Sequence, residues 1–265
     1  MNGAPSLDYA DLAMASLLLL LVGGLSTALS LGLARTLAVS AIRMGAQLAL
    51  LALILQWLFA AQTPWITFGA MVVMAGFAGL EVLNRQSRPA GRIWTGAVGS
   101  GAMLAGGTIV VLPALILVVE AEPWYAPRVA LPLFGMVAGS AMTGVALGLD
   151  TMAQGVMREA AAIEARLALG ATRLQALAGP GRNAIRTGLM PTINAMAAMG
   201  VVTIPGMMTG QLLAGADPVQ AAKMQALVMF LIGGVSALGT IGAVFALAYR
   251  VTDDRHRLRL DRLRD

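Results

Sequence analysis

Polar side chains inside long apolar stretches are the residues of this chain whose types could do chemistry. Such side chains are costly at membrane depth, so they are functional candidates by default. They are Arg43, Gln47, Gln56, Glu81, Asn194, Gln211 and Gln225. Pro205-Gly206 should also interrupt the helix that contains it and free backbone carbonyls from their helical partners. Irregular backbone within a membrane is tolerated where it lines a cavity, so a path for a polar substrate is the expected chemistry.

The predicted substrate path combines the interrupted segment with most of these polar side chains. It consists of Arg43, Gln47, Asn194, Pro205, Gly206, Met207, Met208, Gln211 and Gln225. Thioether sulfur is a soft ligand, so Met207 and Met208 are candidate ligands for a transition metal. Packing is the alternative, because most of the 17 methionines of an apolar chain fill gaps between helices.

Histidine and cysteine ligands within the spans are excluded. Cysteine is absent and the single histidine, His256, lies in the C-terminal tail. A metal would therefore meet oxygen ligands or arrive as a chelate. Glu81 precedes Arg85 by four residues near one end of its span, a spacing that predicts an ion pair rather than metal capture.

Motifs for nucleotide binding and catalysis are missing from the sequence. No G-x-x-x-x-G-K-[ST] is present, and the single lysine, Lys223, stands between Ala222 and Met224. Zinc-protease and nucleophile-elbow motifs are missing too. We expect no enzyme activity and no cofactor bound by this chain, so any ATP with its Mg²⁺ must be hydrolysed by another chain.

The elements that position these residues are membrane helices. The 265 residues are 58% hydrophobic and 12% charged, with a mean hydropathy of +0.79, and apolar runs of membrane-spanning length recur. The sequence predicts an all-α, polytopic integral membrane protein, a single domain over 1–265 with about seven spans. These are 12–33, 38–60, 65–84, 95–119, 129–149, 188–214 and 221–249. Asp8 and Asp11 argue against a cleavable signal in the first.

The basic residues predict the orientation. All of the 18 arginines and lysines except Arg128 and Lys223 fall on one side of this arrangement. Because positive residues accumulate in the cytoplasm, the N-terminus is predicted outside and the C-terminus inside. The excess of positive charge is then explained by the orientation of the chain in the membrane, and no nucleic-acid partner is expected. The basic tail, 250–265, is predicted to be a solvated end that faces lipid headgroups.

Small residues recur at four-residue spacing in three places, Gly135/Gly139, Gly144/Gly148 and Gly206/Gly210. Close packing of helices is the expected use of such pairs, because apolar side chains gain little from leaving lipid. Specific contacts between two copies of the chain are the alternative.

A long polar connection, about 150–187, separates the fifth and sixth spans. Asp150 or Thr151 could cap its first helix. Gly170 suits a helix C-terminus, and Thr172 with Gln175 predicts a capping box that opens a second short helix. The result is a hairpin at about 158–178, parallel to the membrane. An ordinary amphipathic helix at the membrane surface is the alternative.

Within this hairpin, Glu164, Ala165 and Gly170 resemble the E-A-A-x-x-x-G loop of ABC importer membrane subunits, with Arg166 at the second alanine. That loop implies docking of an ATPase. The residues predicted to couple the ATPase are Glu159, Glu164, Arg166, Gly170 and Thr172.

Longer stretches resemble the FetB-type membrane subunits of iron-export ABC transporters, which are related to plant aluminium-tolerance proteins. The strongest match runs from Gly200 to Gln225, G-V-V-T-I-P-G-M-M-T-G-Q-L-L-A-G-A-D-P-V-Q-A-A-K-M-Q. Arg158-Glu159 through Thr172 also fits, as does the second span from Arg43 to Phe59. Met224 departs from the aromatic residue expected before Gln225.

The resemblance implies a permease that exports iron or a related metal. It implies a bacterial inner (cytoplasmic) membrane location, a separate ABC ATPase and a homodimer of the permease, surrounded by membrane lipid. Alternatives are a permease for an anionic organic solute such as a nucleotide sugar, an ATP-independent channel or carrier, and a structural scaffold. The shortage of basic residues within the spans is evidence against the first of these alternatives.

Overall fold

The protein is a bundle of long helices. The structure, a computed structural model, describes residues 8–61, 63–117, 122–253, 255 and 257–263. Its α-helices are α1 Tyr9–Ala28, α2 Ala34–Ala61, α3 Pro64–Asn84, α4 Arg92–Gly106, α5 Leu112–Leu117, α6 Pro127–Arg158, α7 Ala160–Ala168, α8 Arg173–Ala176, α9 Ala178–Ala198, α10 Gly206–Leu213 and α11 Pro218–Arg250. A π-helical turn, Gly107–Val111, joins α4 to α5, and a 3-10 helix covers Leu260–Leu263.

Six stretches of the described residues are long and apolar enough to cross a membrane. They are Ala10–Ala28, Ala34–Ala60, Pro64–Asn84, Arg92–Leu117, Pro127–Arg158 and Pro218–Arg250. The predicted all-α polytopic fold is therefore confirmed. The predicted total of seven membrane spans stays a prediction. Residues 118 and 119 of the predicted fourth span, and the adjacent Glu120, lie outside the described residues.

Local sequence explains where several helices begin. α3, α6 and α11 each begin on a proline, at Pro64, Pro127 and Pro218, where a missing N–H is harmless because the first turn has no partner for it. Asp217 caps α11 by accepting a hydrogen bond from the Gln220 backbone N–H at 2.9 Å, which satisfies one of these free donors.

Helix α6 is the centre of the bundle and packs against α3, α4, α9 and α11. Its residues Ala141, Val145 and Met152 are fully buried. The predicted close approach of helices is present at Gly144 and Gly148. A Cβ on Gly188 of α9 would lie 2.5 Å from the Gly144 carbonyl oxygen, so glycine lets the two backbones touch. A Cβ on Gly206 or Gly210 would meet nothing within 4 Å.

The first two helices stand at the margin of the bundle. α1 packs on α2, and α2 makes limited contact with α3 and α6. Leu58 is a buried side chain of α2, and Arg128 of α6 stacks over the Phe59 ring at 5.5 Å from its centroid. Most of the apolar surface of α2 is therefore available to lipid or to another protein.

The fifth span is longer than predicted, because α6 continues past residue 149 to Arg158. The predicted cap at Asp150 or Thr151 is consequently wrong. The added turns bury Met152 and Val156. Asp150 instead accepts hydrogen bonds from Ser87 Oγ at 2.6 Å and Gln154 Nε2 at 2.7 Å, tying α6 to the residues that follow α3.

The predicted sixth span, 188–214, is divided into α9 and α10 by a non-helical segment at 199–205. This pass is antiparallel to α11: Gly188 approaches Thr240, Gly233 approaches Met196, and Gly206 shares a cavity with Gln225. The break begins at Met199, six residues before the predicted Pro205-Gly206, because Gly200 adopts a φ of 82° that ends α9.

The C-terminal tail folds back on the bundle, which corrects the expectation of a solvated end. Arg259 N donates to Val251 O at 2.8 Å, and Arg262 Nη1 donates to Arg250 O at 2.7 Å. Leu263 is buried, and this apolar anchor is what holds the segment down. His256 and residues 264–265 lie outside the described residues.

Acidic groups of the tail are held in their charged form. The Arg259 guanidinium donates two hydrogen bonds to Asp261 and lowers the pKa of that carboxyl to about 2. The Asp253 pKa is also lowered, chiefly by the backbone N–H of Arg257. Both carboxylates therefore stay ionised at neutral pH and internally neutralise part of the basic tail.

Contacts between loops bring the basic segments to one end of the bundle. Arg250 lies over the Trp94 ring and Arg173 over the Tyr249 ring, at 5.9 and 5.0 Å from the centroids. The start of α4, the hairpin and the tail thus share one face. That this face is cytoplasmic stays a prediction from the charge pattern.

A mid-membrane cavity and a polar hairpin as candidate functional sites

An open, groove-like cavity of about 350 Å³ lies where the broken pass meets α6 and α11. Three elements contribute its walls: the middle of α6, the first half of α11, and the junction between the 199–205 segment and α10. The described residues that line it are Gly135, Met136, Gly139, Ser140, Pro205, Gly206, Met207, Gln225, Val228 and Ile232.

Backbone hydrogen bonds fold the 199–205 segment into a compact turn. The backbone N–H groups of Val202 and Thr203 both donate to Ala198 O, and Gly200 N donates to Thr203 O. Pro205 then precedes α10 as its N-cap residue, and its carbonyl accepts from Thr209 N at 2.9 Å. The interruption is therefore an ordered structure in which a positive-φ glycine and a proline end one helix and start the next.

The position of the cavity along α6 would be near the middle of a bilayer whose boundary falls at Pro127. Met136 and Ser140 lie about 14–20 Å from Pro127 at a rise of 1.5 Å per residue. The hydrocarbon core of a bilayer is about 30 Å thick. A discontinuous helix beside a cavity at this depth is a typical arrangement for a transporter substrate site.

The cavity contains a buried amide without a partner. Gln225 is 7% exposed, and its Oε1 has no hydrogen-bond partner among the described residues. Buried polar groups are normally satisfied. Ser140 adds a hydroxyl. The carbonyl oxygen of Gln225 is therefore a buried acceptor that the described residues leave unsatisfied.

A second cavity, of about 260 Å³, lies between α3, the π-helical turn and the start of α6. Its lining is mostly apolar, and its aromatic members are Phe68, Trp124, Tyr125 and Phe134. Its buried hydroxyl, Thr67 Oγ1, already donates to Tyr125 O at 3.0 Å. Since no buried group among its described lining residues lacks a partner, it is a weaker candidate for a polar substrate.

The structure brings together four residues of the predicted path, Pro205, Gly206, Met207 and Gln225. Other members lie elsewhere. Met208 and Gln211 are on α10 outside the described lining, Asn194 is exposed on α9, and Arg43 and Gln47 are exposed on α2. Sequence reasoning missed Met136 and Ser140, although the Gly135/Gly139 pair beside them marked that part of α6.

Metal coordination by charged or imidazole ligands finds no support among the described residues, where no group of three or more His, Cys, Asp or Glu side chains converges. Of the two predicted thioether ligands, Met207 reaches the cavity. The groups in the cavity lining that could coordinate a metal are thus an amide, a hydroxyl, thioethers and backbone carbonyls.

An ion pair on α2 is another polar feature within the spans. Arg43 Nη2 lies 3.1 Å from Glu81 Oε2, and Arg85 Nε lies 3.6 Å from Glu81 Oε1. The predicted Glu81–Arg85 pair is confirmed. Arg43 is an additional partner that sequence spacing could not reveal, since it is 38 residues away.

The polar connection forms two short helices, α7 and α8. Gly170 has a φ of 88° at the turn between them, and Thr172 with Gln175 forms the predicted capping box. Arg166 Nη1 donates to Ala176 O at 3.0 Å, which links the two helices. This makes the turn a defined structure rather than a loose loop.

The hairpin is anchored on one side and exposed on the other. Ile163 is 0% exposed, whereas Leu169 at the turn is 88% exposed. The exposed face carries Glu164 and Arg166. Glu159, between α6 and α7, lies 3.5 Å from Arg158. The hairpin therefore presents a mixed apolar and charged surface on a rigid support.

The helices, the discontinuous pass and the cavity define a multi-pass, all-α membrane protein. Residues 9–252 match the Uncharacterised protein family UPF0014, and the chain belongs to that family.

Relatives in this family come from bacteria and plants. A UPF0014 membrane protein of Synechocystis is 35% identical over 215 residues, which cover 80% of each chain. The probable iron export permease protein FetB of Escherichia coli is 32% identical over 218 residues, 82% of each chain. The Arabidopsis thaliana protein ALUMINUM SENSITIVE 3 is 28% identical over 235 residues, 88% of this chain and 83% of that one. No solved structure matches the chain.

Proposed function

We propose that the chain is the membrane-spanning subunit of an ABC-type transporter that exports iron or a related metal from the cytoplasm. The observation that carries the proposal is the broken pass, which borders a cavity lined by Gln225 and Ser140 between helices of membrane-spanning length. The relationship to a probable iron export permease over most of both chains supports the cargo. The proposed direction of transport, export from the cytoplasm, is taken from the name of that relative.

A separate ATPase drives the cycle, since the sequence carries no nucleotide-binding motif. The hairpin formed by α7 and α8 is its docking surface in this proposal. Ile163 fixes the hairpin to the bundle, while Glu164 and Leu169 are exposed to a partner. An apolar side chain surrounded by polar ones is the usual composition of a protein interface.

Two copies of the chain form the transporter. Support comes from α2, where Thr36, Ser40, Arg43 and Gln47 are exposed at spacings of four, three and four residues, so that they share one face. Arg43 is paired with Glu81, but lipid offers the two hydroxyls and the Gln47 amide no hydrogen bonds. The 199–205 segment, with Val201 90% exposed, has non-helical backbone that also needs covering. A second copy accounts for both surfaces.

The test uses proteoliposomes that contain the permease copurified with its ATPase. We expect ATP turnover to rise with an iron cargo and iron to move from the side that carries the ATPase to the other side. ATP turnover that is indifferent to iron would refute the iron cargo. Failure of any ATPase to bind would instead favour a channel or carrier.

The dimer has its own test, which the lack of cysteine in the chain makes direct. Ser40→Cys lies on the polar face of α2 and should form disulfide-linked dimers under oxidation. Ile42→Cys, exposed on the opposite face, is the matched control and should give few. Equal cross-linking at both positions would exclude α2 as a specific interface.

A further inference from the structure

We propose that Arg250, at the end of α11, binds the phosphate group of an anionic phospholipid at the surface of the membrane. The site lies where the end of α11 meets the start of α4, on the side of the protein that carries most of the arginines. The proposal goes beyond the proposed function, because it requires neither the cargo nor the ATPase.

The Arg250 side chain is held in place by the start of α4. Its guanidinium carbon lies over the Trp94 ring at 5.9 Å from the centroid, and its Nη2 lies 3.7 Å from the position that a Cβ on Gly91 would take. The face of an aromatic ring attracts a cation in this position. The contact restricts the long side chain before a ligand arrives, so binding costs less conformational entropy.

The Arg250 guanidinium lacks a counter-charge among the described residues. Its Nε is shielded from solvent and has no hydrogen-bond acceptor. Its two Nη groups are accessible, and the described residues offer them neither an acceptor nor an ion pair. A charge that is partly removed from water is costly unless it is paired. An anion that contacts the Nη groups would supply the missing partner.

A second arginine lies beside Arg250 without a carboxylate partner in the described part of the chain. Arg262 Nη1 donates to the Arg250 carbonyl oxygen at 2.7 Å. The described carboxylates of the tail are already paired with other arginines, as Asp253–Arg257 and Asp261–Arg259. Guanidinium groups bind phosphate through two parallel hydrogen bonds, which makes phosphate a suitable ligand for such a pair of arginines.

A phospholipid is the anion that fits the position of the site. The stretches of membrane-spanning length Arg92–Leu117 and Pro218–Arg250 each have one end here, and tryptophan concentrates at the boundary of a bilayer. Ile93, next to Trp94, is 90% exposed and would contact acyl chains. A phospholipid offers a phosphate and acyl chains together, whereas a free phosphate or an acidic protein surface offers the charge alone.

The expected leaflet contains lipids of this kind. The charge pattern predicts that this side is cytoplasmic, and anionic lipids of the cytoplasmic leaflet attract basic residues next to a span. The site differs from the solvated tail expected from the sequence, because Arg250 belongs to α11 and is fixed against Trp94. It should therefore hold one headgroup rather than attract the bilayer in general.

The experiment counts the lipids that the purified full-length chain retains in detergent, by native mass spectrometry. The probes are phosphatidylglycerol, phosphatidylcholine with the same acyl chains, and inorganic phosphate. Each contains a phosphate, but only phosphatidylglycerol combines acyl chains with a net negative charge. We expect phosphatidylglycerol to bind about fivefold more tightly than phosphatidylcholine, the factor that one charge near a basic residue is worth.

Three substitutions locate the site. Arg250→Gln should weaken phosphatidylglycerol binding about tenfold, the effect of losing a hydrogen bond to a charged group. Trp94→Leu should weaken it about threefold, because Arg250 keeps its charge and loses its support. Arg182→Gln is the matched control. It removes the same charge from an exposed position on α9 and should change binding by less than about twofold.

Equal binding of the two phospholipids would overturn the proposal, and this comparison needs no variant, so it holds even if Arg250→Gln fails to fold. Equal losses in Arg250→Gln and Arg182→Gln would show only a general attraction between arginines and anionic lipid. Displacement of the phospholipid by inorganic phosphate would assign the site to a free phosphate. Unchanged lipid binding with loss of ATPase copurification in Arg250→Gln would assign Arg250 to the ATPase interface. Each of these results contradicts a phospholipid site.

Discussion

Arg43 and Glu81 join α2 to α3 through an ion pair with an Nη2–Oε2 distance of 3.1 Å. The pair lies within helices of membrane-spanning length, and the Arg43 side chain is more than half exposed. Arg85 shares the same carboxylate from one turn further along α3. Glu81 therefore holds the otherwise weakly packed α2 against the bundle, and Arg43 has a structural role besides any contact with substrate.

Removing either charge should loosen α2 by a similar amount. We expect Arg43→Met and Glu81→Gln each to lower the free energy of unfolding by about 1 kcal/mol, a small effect because the Arg43 side chain is 55% exposed. The double substitution should cost less than the sum of the two singles. Thermal unfolding in detergent measures this, and strict additivity would argue that the two side chains act independently.

Charge reversal on the exposed face of the hairpin should uncouple the transporter. Glu164 is exposed, and no ion pair of this residue occurs among the described contacts, so Glu164→Lys should leave the permease folded. We expect the ATPase to lose most of its affinity for the permease, measured by copurification and by ATP turnover in proteoliposomes. Normal copurification with normal turnover would contradict the docking role of the hairpin.

The two sides of the hairpin should respond differently to truncation. Ile163→Ala removes a fully buried side chain and should lower the free energy of unfolding by about 2–5 kcal/mol. Leu169→Ala is the matched control at the exposed turn and should leave stability within about 0.5 kcal/mol. Thermal unfolding in detergent compares the two. Equal effects would mean that Ile163 does not anchor the hairpin.

The contact between α6 and α9 should tolerate no additional methyl group. Gly188→Ala places a Cβ 2.5 Å from Gly144 O and 2.7 Å from Thr240 Cγ2, and overpacking of this kind costs about 1–3 kcal/mol. Gly242→Ala, where a Cβ would meet nothing within 4 Å, should be neutral. The melting temperatures of the two variants provide the measurement, and a neutral Gly188→Ala would show that the helices separate easily.

The methionines near the break test how the metal is held. If the metal arrives as a chelate, Met207→Leu with Met208→Leu should leave iron export within about twofold of the unaltered chain, because leucine fills a similar volume. Transport assays with matched protein amounts provide the comparison. A large loss of export with the double variant, but not with Met208→Leu alone, would restore Met207 as a thioether ligand.

Local sequence signals were sufficient for the membrane helices and for the hairpin. Apolar runs gave most spans to within a few residues, and Thr172, Gln175 and Gly170 predicted the turn because capping depends on adjacent residues. The length of α6 could not be predicted this way. Its last turns are stable because Met152 and Val156 are buried and Pro180 of α9 packs on Gly155, and these are tertiary contacts.

The candidate site was predicted in part. Pro205, Gly206 and Met207 were found because a proline and glycines within an apolar span indicate a break. Gln225 was found because it is polar within a span. Their common cavity depends on how α9, α10 and α11 pack against α6, so the contribution of Met136 and Ser140 required the structure. Arg43 was wrongly assigned to the substrate path for a related reason: the sequence does not show that its helix lies at the edge of the bundle.

Helix α6 connects one wall of the cavity to the hairpin without interruption, whereas the α10 wall has no such connection. It runs without a proline from Met136 to Arg158, and Glu159 alone separates it from the hairpin. The cavity residues on α6 lie about 27–35 Å from Arg158 along the helix axis, so one helix connects the cavity to the hairpin. In the proposed transporter, a force on the hairpin would therefore reach this wall along one continuous helix. The opposite wall on α10 is attached to α9 through the 199–205 turn.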